Sequence, residues 1–342
     1  SYGQRRLWAL DRIEQNAATY NMPMALRIHG LIDIDALSRA LNYLVERHEA
    51  LRTLIVENDK GQATGVLVDL STQAEVLTVQ DLRSTYEKSP EQCAEIVERL
   101  MRIEASTAFN LGTEIPFRAL LLQIKSEEHV LLLTMHHHAG DGASWNIIGR
   151  ELGLSYSAFR ENASPDLEAL PIQYSDWAHW QEASLKKKLP DKLKRAKERL
   201  VDIPEQLTLP VDHPRHPDRD HKAGYVSVLL EATTVQKMTA LAQESQTTIF
   251  AVLLATYGAT LSRIAGQTHI VIGSPIAGRT RSETEQIVGF FLNTLAIPLF
   301  FDKGISAREL IQQTKTQLQG AISDQDLPFE LLVEEMGVAR SL

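Results

Sequence analysis

Apolar and polar positions along this chain repeat in two periods, and each period predicts an element. The stretch "DIDALSRALNYLVERHEALRT" carries apolar residues at helical spacing, with Asp33 placed to cap its start, and reads as a helix packed by one face. "PFRALLLQIKSEEHVLLLTM" splits at the polar "KSEE" into two apolar runs of strand length, which predicts a hairpin. The second run is apolar on both alternating sets of positions, as a central strand covered on both faces would be. After "HHHAGDG" the segment "ASWNIIGRELGLSYSAFRE" returns to helical periodicity, so the histidines fall where a strand gives way to a helix.

Further on, "WAHWQEASLKKKLPDKLKRAKERLV" predicts a charged helix with a solvated face. The proline-rich "LPVDHPRHPDRDHKAGY" predicts an exposed connector. Beyond it come the strand "VSVLLE", the helix "TVQKMTALAQES", a helix capped by Thr247 or Thr248 in "TTIFAVLLATYGATLSRIAG", and the strand "HIVIGSP". Both halves thus share an α/β style without a sequence repeat.

Composition narrows the picture. With 342 residues, 44% hydrophobic and 23% charged, the chain is long enough for two cores. Its 35 basic and 44 acidic residues leave a net charge of −9 with no long block of either sign, which argues against a nucleic-acid partner. Cys93 is the one cysteine, which excludes an internal disulfide and a cysteine-based zinc site and fits a reducing compartment. "IFAVLLATYGATL" is too short and interrupted to span a bilayer, and no signal-like segment opens the chain, so the expectation is a cytoplasmic protein with no membrane partner. The first residue is Ser1 rather than Met, so any address on an earlier N-terminus lies outside this reading.

The candidate chemistry sits in "LLLTMHHHAGDGASW". Ionisable groups at the end of a buried strand need partners or altered pKa values to stay there. Strand alternation turns His136 and His138 to one side and His137 to the other, which disfavours a three-histidine metal site. His213, His216 and His221 lie in the exposed connector and form no better one. No G-x-S-x-G surrounds Ser144, which is placed to cap the following helix, so a serine nucleophile is not expected. What remains is one imidazole presented from a strand end and supported by an aspartate.

"HHHAGDG" fits the pattern HHxxxDG through His136, His137, Asp141 and Gly142, and resembles the condensation domains of nonribosomal peptide synthetases. "SYGQRRLWAL", "RHEALRT", "YSDWAHW", "VGFFLNTLAIPL" and "DQDLPFE" resemble the family's first, second, fourth, fifth and sixth signatures, in order. The resemblance implies an α/β (α+β) fold of two chloramphenicol acetyltransferase-like lobes, 1–172 and 173–342. They would form a V-shaped pseudodimer with a central tunnel. The chain stops at "VARSL", where the seventh signature would start, so the C-terminal lobe is expected to be incomplete.

The implied activity is amide-bond formation between a donor thioester and the amine of an acceptor aminoacyl thioester. Both would ride on 4'-phosphopantetheine arms of upstream and downstream peptidyl carrier domains, beside an adenylation domain, with no cofactor or metal held by the chain itself. The resemblance makes His137 the residue at the reacting centre, with His136, Asp141 and Gly142 completing the catalytic motif, and Asp141 structural within it, held by Arg279 or, as second choice, Arg52. Gly142 is either a positive-φ turn glycine or clearance for the acceptor arm, and Ser144 and Asn293 are candidates to line the tunnel. Asn293 has a second use, tying down backbone, because an amide among apolar residues must find hydrogen bonds. Arg47, His48, Glu49 and Arg52 read as neighbours on one helix with local ion pairs, and Tyr174, Trp177 and Trp180 as core aromatics at helical spacing. Alternatives on the same fold are an epimerisation domain, a dual epimerisation and condensation domain, and a non-catalytic carrier-binding module.

Overall fold

In the computed structural model, which describes residues 1–14, 18–69, 76–204, 206–213 and 224–337, the hairpin at 116–135 forms the middle of a four-stranded sheet. Two compact units emerge, residues 1–184 with 277–292, and residues 185–276 with 293 onward.

In chain order the first unit holds α1 (Tyr2–Glu14), β1 (Asn21–His29), α2 (Ile34–Arg47), β2 (Thr53–Glu57), β3 (Ala63–Leu67) and β4 (Leu77–Asp81). There follow α3 (Arg83–Lys88), α4 (Pro90–Ser106), β5 (Phe117–Lys125), β6 (Glu128–His136), α5 (Gly142–Arg160) and the first part of α6 (Tyr174–Arg199). The main sheet runs β1-β6-β5-β4, with β6 antiparallel to both neighbours and β4 parallel to β5. β6 is buried on both faces because both sets of alternating side chains find helices. Leu131, Leu133 and Met135 join a core with Leu41 and Leu44 of α2 and Ile148 of α5. Val130 and Leu132 pack with Cys93 and Val97 of α4. Burial pushes the Cys93 thiol pKa up, so this cysteine acts as a small apolar filler.

Asp33 caps α2, its carboxylate accepting from the Ala36 N–H at 3.0 Å. The expectation that Arg47 to Arg52 share one helix is corrected. α2 ends at Arg47, His48 leaves it in extended conformation, and Glu49–Arg52 form a separate 3₁₀ turn.

The second unit holds the rest of α6, α7 (Ala232–Glu244), α8 (Ile249–Ala265), β7 (His269–Ile276), β8 (Asn293–Phe300), α9 (Ala307–Ser323) and α10 (Phe329–Met336). β7 and β8 pair antiparallel from His269↔Phe300 to Ile276↔Asn293, and Leu254 of α8 and Ala321 of α9 complete a core with Ile270, Leu295, Ile297 and Leu299. Thr248, rather than Thr247, caps α8. The buried Asp324 carboxylate gathers Lys192, Arg195 and Arg199 of α6. Burial would push its pKa up, but the Arg195 and Arg199 hydrogen bonds prevail and hold it down at about 2.

"VSVLLE" is not a strand here. It is irregular, with Val226, Val228 and Leu229 exposed, because alternation supplies a strand's faces but not the neighbour whose hydrogen bonds define it. In the connector, residues 214–223 with His216 and His221 lie outside the described residues, as does "VARSL". Among the described residues no single helix is long and apolar enough to cross a membrane, and one sharply bent pair, α7 with α8, meets that measure only jointly.

Candidate active site

The site grows from the end of β6. The strand's pairing stops at His136, opposite Asn21, and residues 137–140 turn before α5 begins at Gly142. His137 is anchored by its backbone N–H to the Tyr20 carbonyl at 2.9 Å, and its imidazole is half-buried. Nδ1 lies 2.8 Å from the Gly140 carbonyl oxygen. A carbonyl only accepts, so Nδ1 carries the proton, and the neutral ring presents a bare lone pair at Nε2. Phe290 meets the ring edge-on, with centroids 5.0 Å apart.

His136 and His138 point the other way and are buried, with their Nδ1 atoms 2.9 Å apart. Burial, with the neighbouring histidines, pushes the His136 pKa down to about 3. Burial also lowers that of His138, to about 4, against the Thr53 carbonyl that favours its charged form. Both rings are therefore neutral near pH 7. No group of three His, Cys, Asp or Glu side chains among the described residues is arranged to hold a metal.

The cap of α5 is Asp141 rather than Ser144, which stands at the third helical position. Oδ1 accepts from the Ser144 N–H at 3.1 Å and Ser144 Oγ accepts from the Asp141 N–H at 3.1 Å, a reciprocal box that fixes the helix start. Arg279 Nη2 donates to Asp141 Oδ1 at 3.0 Å, and the Phe291 N–H donates to Oδ2 at 3.1 Å. Ser144 Oγ also accepts from the Gly289 N–H at 3.3 Å. Arg279 is itself held, with Nη1 donating to the Thr284 and Ile287 carbonyls at 2.5 and 2.7 Å and its guanidinium stacked on Phe291. Gly278 makes this approach possible. It sits at φ +65°, and an added Cβ there would collide with the Phe291 carbonyl.

The structure thus brings Asp141, Ser144 and Arg279 together and leaves Arg52 elsewhere, bonded to the Glu46 and Val68 carbonyls. Ser144 is fully buried within this network. Asn293, in the second unit, gives both Nδ2 hydrogens to the Gln325 and Leu327 carbonyls and accepts the Phe329 N–H, so its amide ties down backbone. Gly142 is not a positive-φ glycine, because it is the first residue of α5.

Space distinguishes the two glycines of the turn. Among the described residues an added Cβ at Gly142 meets no atom within 4 Å, whereas at Gly140 it would lie 2.6 Å from Met135 Cε and 3.1 Å from Ser144 Cβ. Gly142→Ala is expected to keep its stability or gain up to about 1 kcal/mol. Gly140→Ala should lose about 1 to 3 kcal/mol by overpacking, both read by urea unfolding.

The partner that escapes sequence reasoning is Glu151, and the reach of Tyr174 to the Phe290 carbonyl is a second contact it does not give. Glu151 is buried beside Arg47 and His48, with its Oε2 2.8 Å from His48 Nε2 and 3.1 Å from Arg47 Nε. Burial pushes its carboxyl up, but hydrogen bonds from His48 and Arg47 prevail and leave it below the usual range. The Val288 N–H donates to His48 Nδ1 at 3.4 Å, which puts the His48 proton on Nε2, towards Glu151. Tyr174 donates its hydroxyl to the Phe290 carbonyl at 2.6 Å, which seats the ring that faces His137, and burial pushes its phenol pKa up. Trp177 is buried beside it as expected of a core aromatic, whereas the same expectation for Trp180 is corrected, because that ring is exposed and stacks on Arg281.

A family model described as "Condensation domain" matches residues 1–342. A linear gramicidin synthase of Brevibacillus parabrevis is 38% identical over 343 residues, covering 100% of this chain and 4% of that one. Phosphinothricin tripeptide synthetase PhsB of Streptomyces viridochromogenes is 36% identical over 343 residues, covering 100% of this chain and 28% of its own length. The chain therefore corresponds to a small part of these curated relatives. Among solved structures, the X-domain from teicoplanin biosynthesis matches with TM-score 0.86 at 24% identity, over 99% of this chain and 73% of that one. The first condensation domain of the calcium-dependent antibiotic synthetase matches with TM-score 0.80 at 21% identity, over 99% and 78%. At those identities the two structures speak to the fold, a mixed α/β architecture.

Proposed function

The chain belongs to the condensation-domain family, and on that premise we propose that it forms amide bonds in nonribosomal peptide synthesis. The amine of an acceptor aminoacyl thioester attacks the carbonyl of a donor thioester. The new C–N bond forms, the C–S bond breaks, and the amine's proton ends on the departing thiol. Both thioesters ride on phosphopantetheine arms of carrier domains, which are cargo and partners rather than groups held by this chain, and an adenylation domain is the expected neighbour. The two-lobe pseudodimer with its tunnel belongs to the same reading. Its lobes, 1–172 and 173–342, differ from the compact units in where 173–184 and 277–292 are assigned.

The observation that carries the reading is His137, half-exposed, with Nδ1–H fixed on the Gly140 carbonyl and Nε2 bare. That nitrogen accepts a hydrogen bond from the attacking amine and then holds its proton as the tetrahedral intermediate forms. A free α-amino group has a pKa of about 7.7 to 8.0, so much of it is neutral without help. Holding two reactants in line reaches effective molarities of about 10⁵ to 10⁸ M, against about 10²- to 10⁴-fold for acid–base help, so alignment is the larger contribution. Gly142, with open space beside its Cα, leaves room for the acceptor arm.

His137→Ala in the full-length protein is expected to lower dipeptidyl-carrier formation about 10²-fold or more, with carrier affinity unchanged. Single-turnover assays with loaded carriers measure the first and titration of the carriers the second. Near-normal turnover sinks the assignment. A rate that follows the acceptor amine alone supports alignment, and a histidine titration that vanishes in the variant supports a base.

A further inference from the structure

The third histidine has no place in the chemistry above, yet it is among the most heavily tied residues of the turn. His138 is 1% exposed. Its Nε2 lies 3.2 Å from the carbonyl of Thr53, 85 residues away at the start of β2. Its Nδ1 faces His136 Nδ1 at 2.9 Å, and its carbonyl accepts from Gln4 Nε2 of α1 at 3.0 Å. One residue thus joins β6, β2 and α1 immediately beside His137.

The Thr53 carbonyl only accepts, so His138 Nε2 carries the hydrogen of that bond. The His138 backbone N–H donates to His136 Nδ1 at 3.2 Å, which ties the two rings together with their Nδ1 atoms 2.9 Å apart. His136 Nε2 is buried with no hydrogen-bond partner among the described residues.

Beyond His136 one backbone bond, from the His137 N–H to the Tyr20 carbonyl, carries the pairing into the turn, and nothing in the ladder holds residues 138–140. The buried side chain at 138 supplies that hold, with residue 137 turned out and the residue 140 carbonyl brought back to its ring. We propose that His138 is a positioning residue for His137, holding the 137–140 turn through its bond to the Thr53 carbonyl so that the Gly140 carbonyl meets His137 Nδ1. An aliphatic residue fills the same space but gives Thr53 nothing. The inference rests on the amide-bond-forming reading for its effect on rate, but not for its effect on the turn.

The test uses the full-length protein with His138→Leu and His138→Gln, whose amide keeps a donor for Thr53. The readouts are kcat and KM with carrier-bound substrates and amide exchange by mass spectrometry. His138→Leu should lower kcat at least tenfold with both KM values within twofold, and speed exchange at 137–140 at least tenfold while α5 stays protected. His138→Gln should return kcat to within threefold and restore protection. The proposal is overturned by a folded His138→Leu protein with wild-type kcat and exchange, or by one whose exchange rises equally across β6 and α5. If His138→Leu does not fold, His138→Gln decides: retained protection and kcat support the anchor, and their loss in a folded protein overturns it. If His137→Ala keeps full turnover, the reading of the site fails instead, and the exchange result alone decides the anchoring.

Discussion

Replacing Asp141 with Ala is expected to destabilise the protein by about 3 to 5 kcal/mol, the cost of leaving a buried charge without its partner, and to lower the reaction rate with it. The carboxylate is 2% exposed and holds Arg279, the Ser144 backbone and hydroxyl, and the Phe291 backbone. Removing it leaves a cation whose Nε already lacks a partner among the described residues. It also strips the N-cap of α5, an effect of about 0.5 to 2 kcal/mol that overlaps the first. Arg279→Ala should do comparable damage, because the Thr284 and Ile287 carbonyls and the Phe291 ring lose their contact along with Asp141.

Because the two charges touch, the double variant should be less damaged than the two single losses combined, by about 0.5 to 3 kcal/mol. Chemical unfolding of all four proteins measures this. Additive losses would remove the pair from its structural role. An Asp141→Ala protein of unchanged stability and abolished turnover would make the carboxylate a participant in the reaction.

What the sequence carries well is what is local. The hairpin, the cap at Asp33 and the apolar filling of both faces of β6 follow from spacings of two to four residues, because neighbours along the chain meet neighbours in space. Contacts set by folding back are silent. Arg47 finds Glu151 across 104 residues, and nothing in "RHEALRT" separates that long-range pair from a local one. Asp141 meets Arg279 across 138 residues, a pairing that only the family resemblance names. Asn293 reads equally well as a backbone tie and as an open amide, because an isolated polar residue on an apolar strand declares a need and not its partner. "VSVLLE" goes astray for a related reason, since pairing depends on another segment.

Acid should expose the buried histidine pair. His136 and His138 have folded pKa values of about 3 and 4, against 6.5 for the unperturbed ring. Between those values the unfolded chain binds two protons that the folded protein refuses, so protons pull the equilibrium towards unfolding. The pair's contribution is therefore full above about pH 6.5, falls as the pH drops, and stops falling once the folded rings protonate near 4 and then 3. The slope is about 1.4 kcal/mol per pH unit for each group, so two groups over two units cost about 5 kcal/mol, comparable to the whole stability of many domains.

The carboxylates do not explain such a loss. Asp324 and Glu151 are held below their usual values, so their contribution disappears only as the pH passes below the ordinary carboxylate range near 4. Urea unfolding at pH 7.0, 6.0 and 5.0 should show a steep decline with uptake of about two protons on unfolding. His138→Gln, which cannot titrate, should halve both. Stability that stays level between pH 7 and pH 5 would mean that the pair already holds a proton in the folded state, shared between the two Nδ1 atoms. His138 would then be charged and donate to both His136 and Thr53.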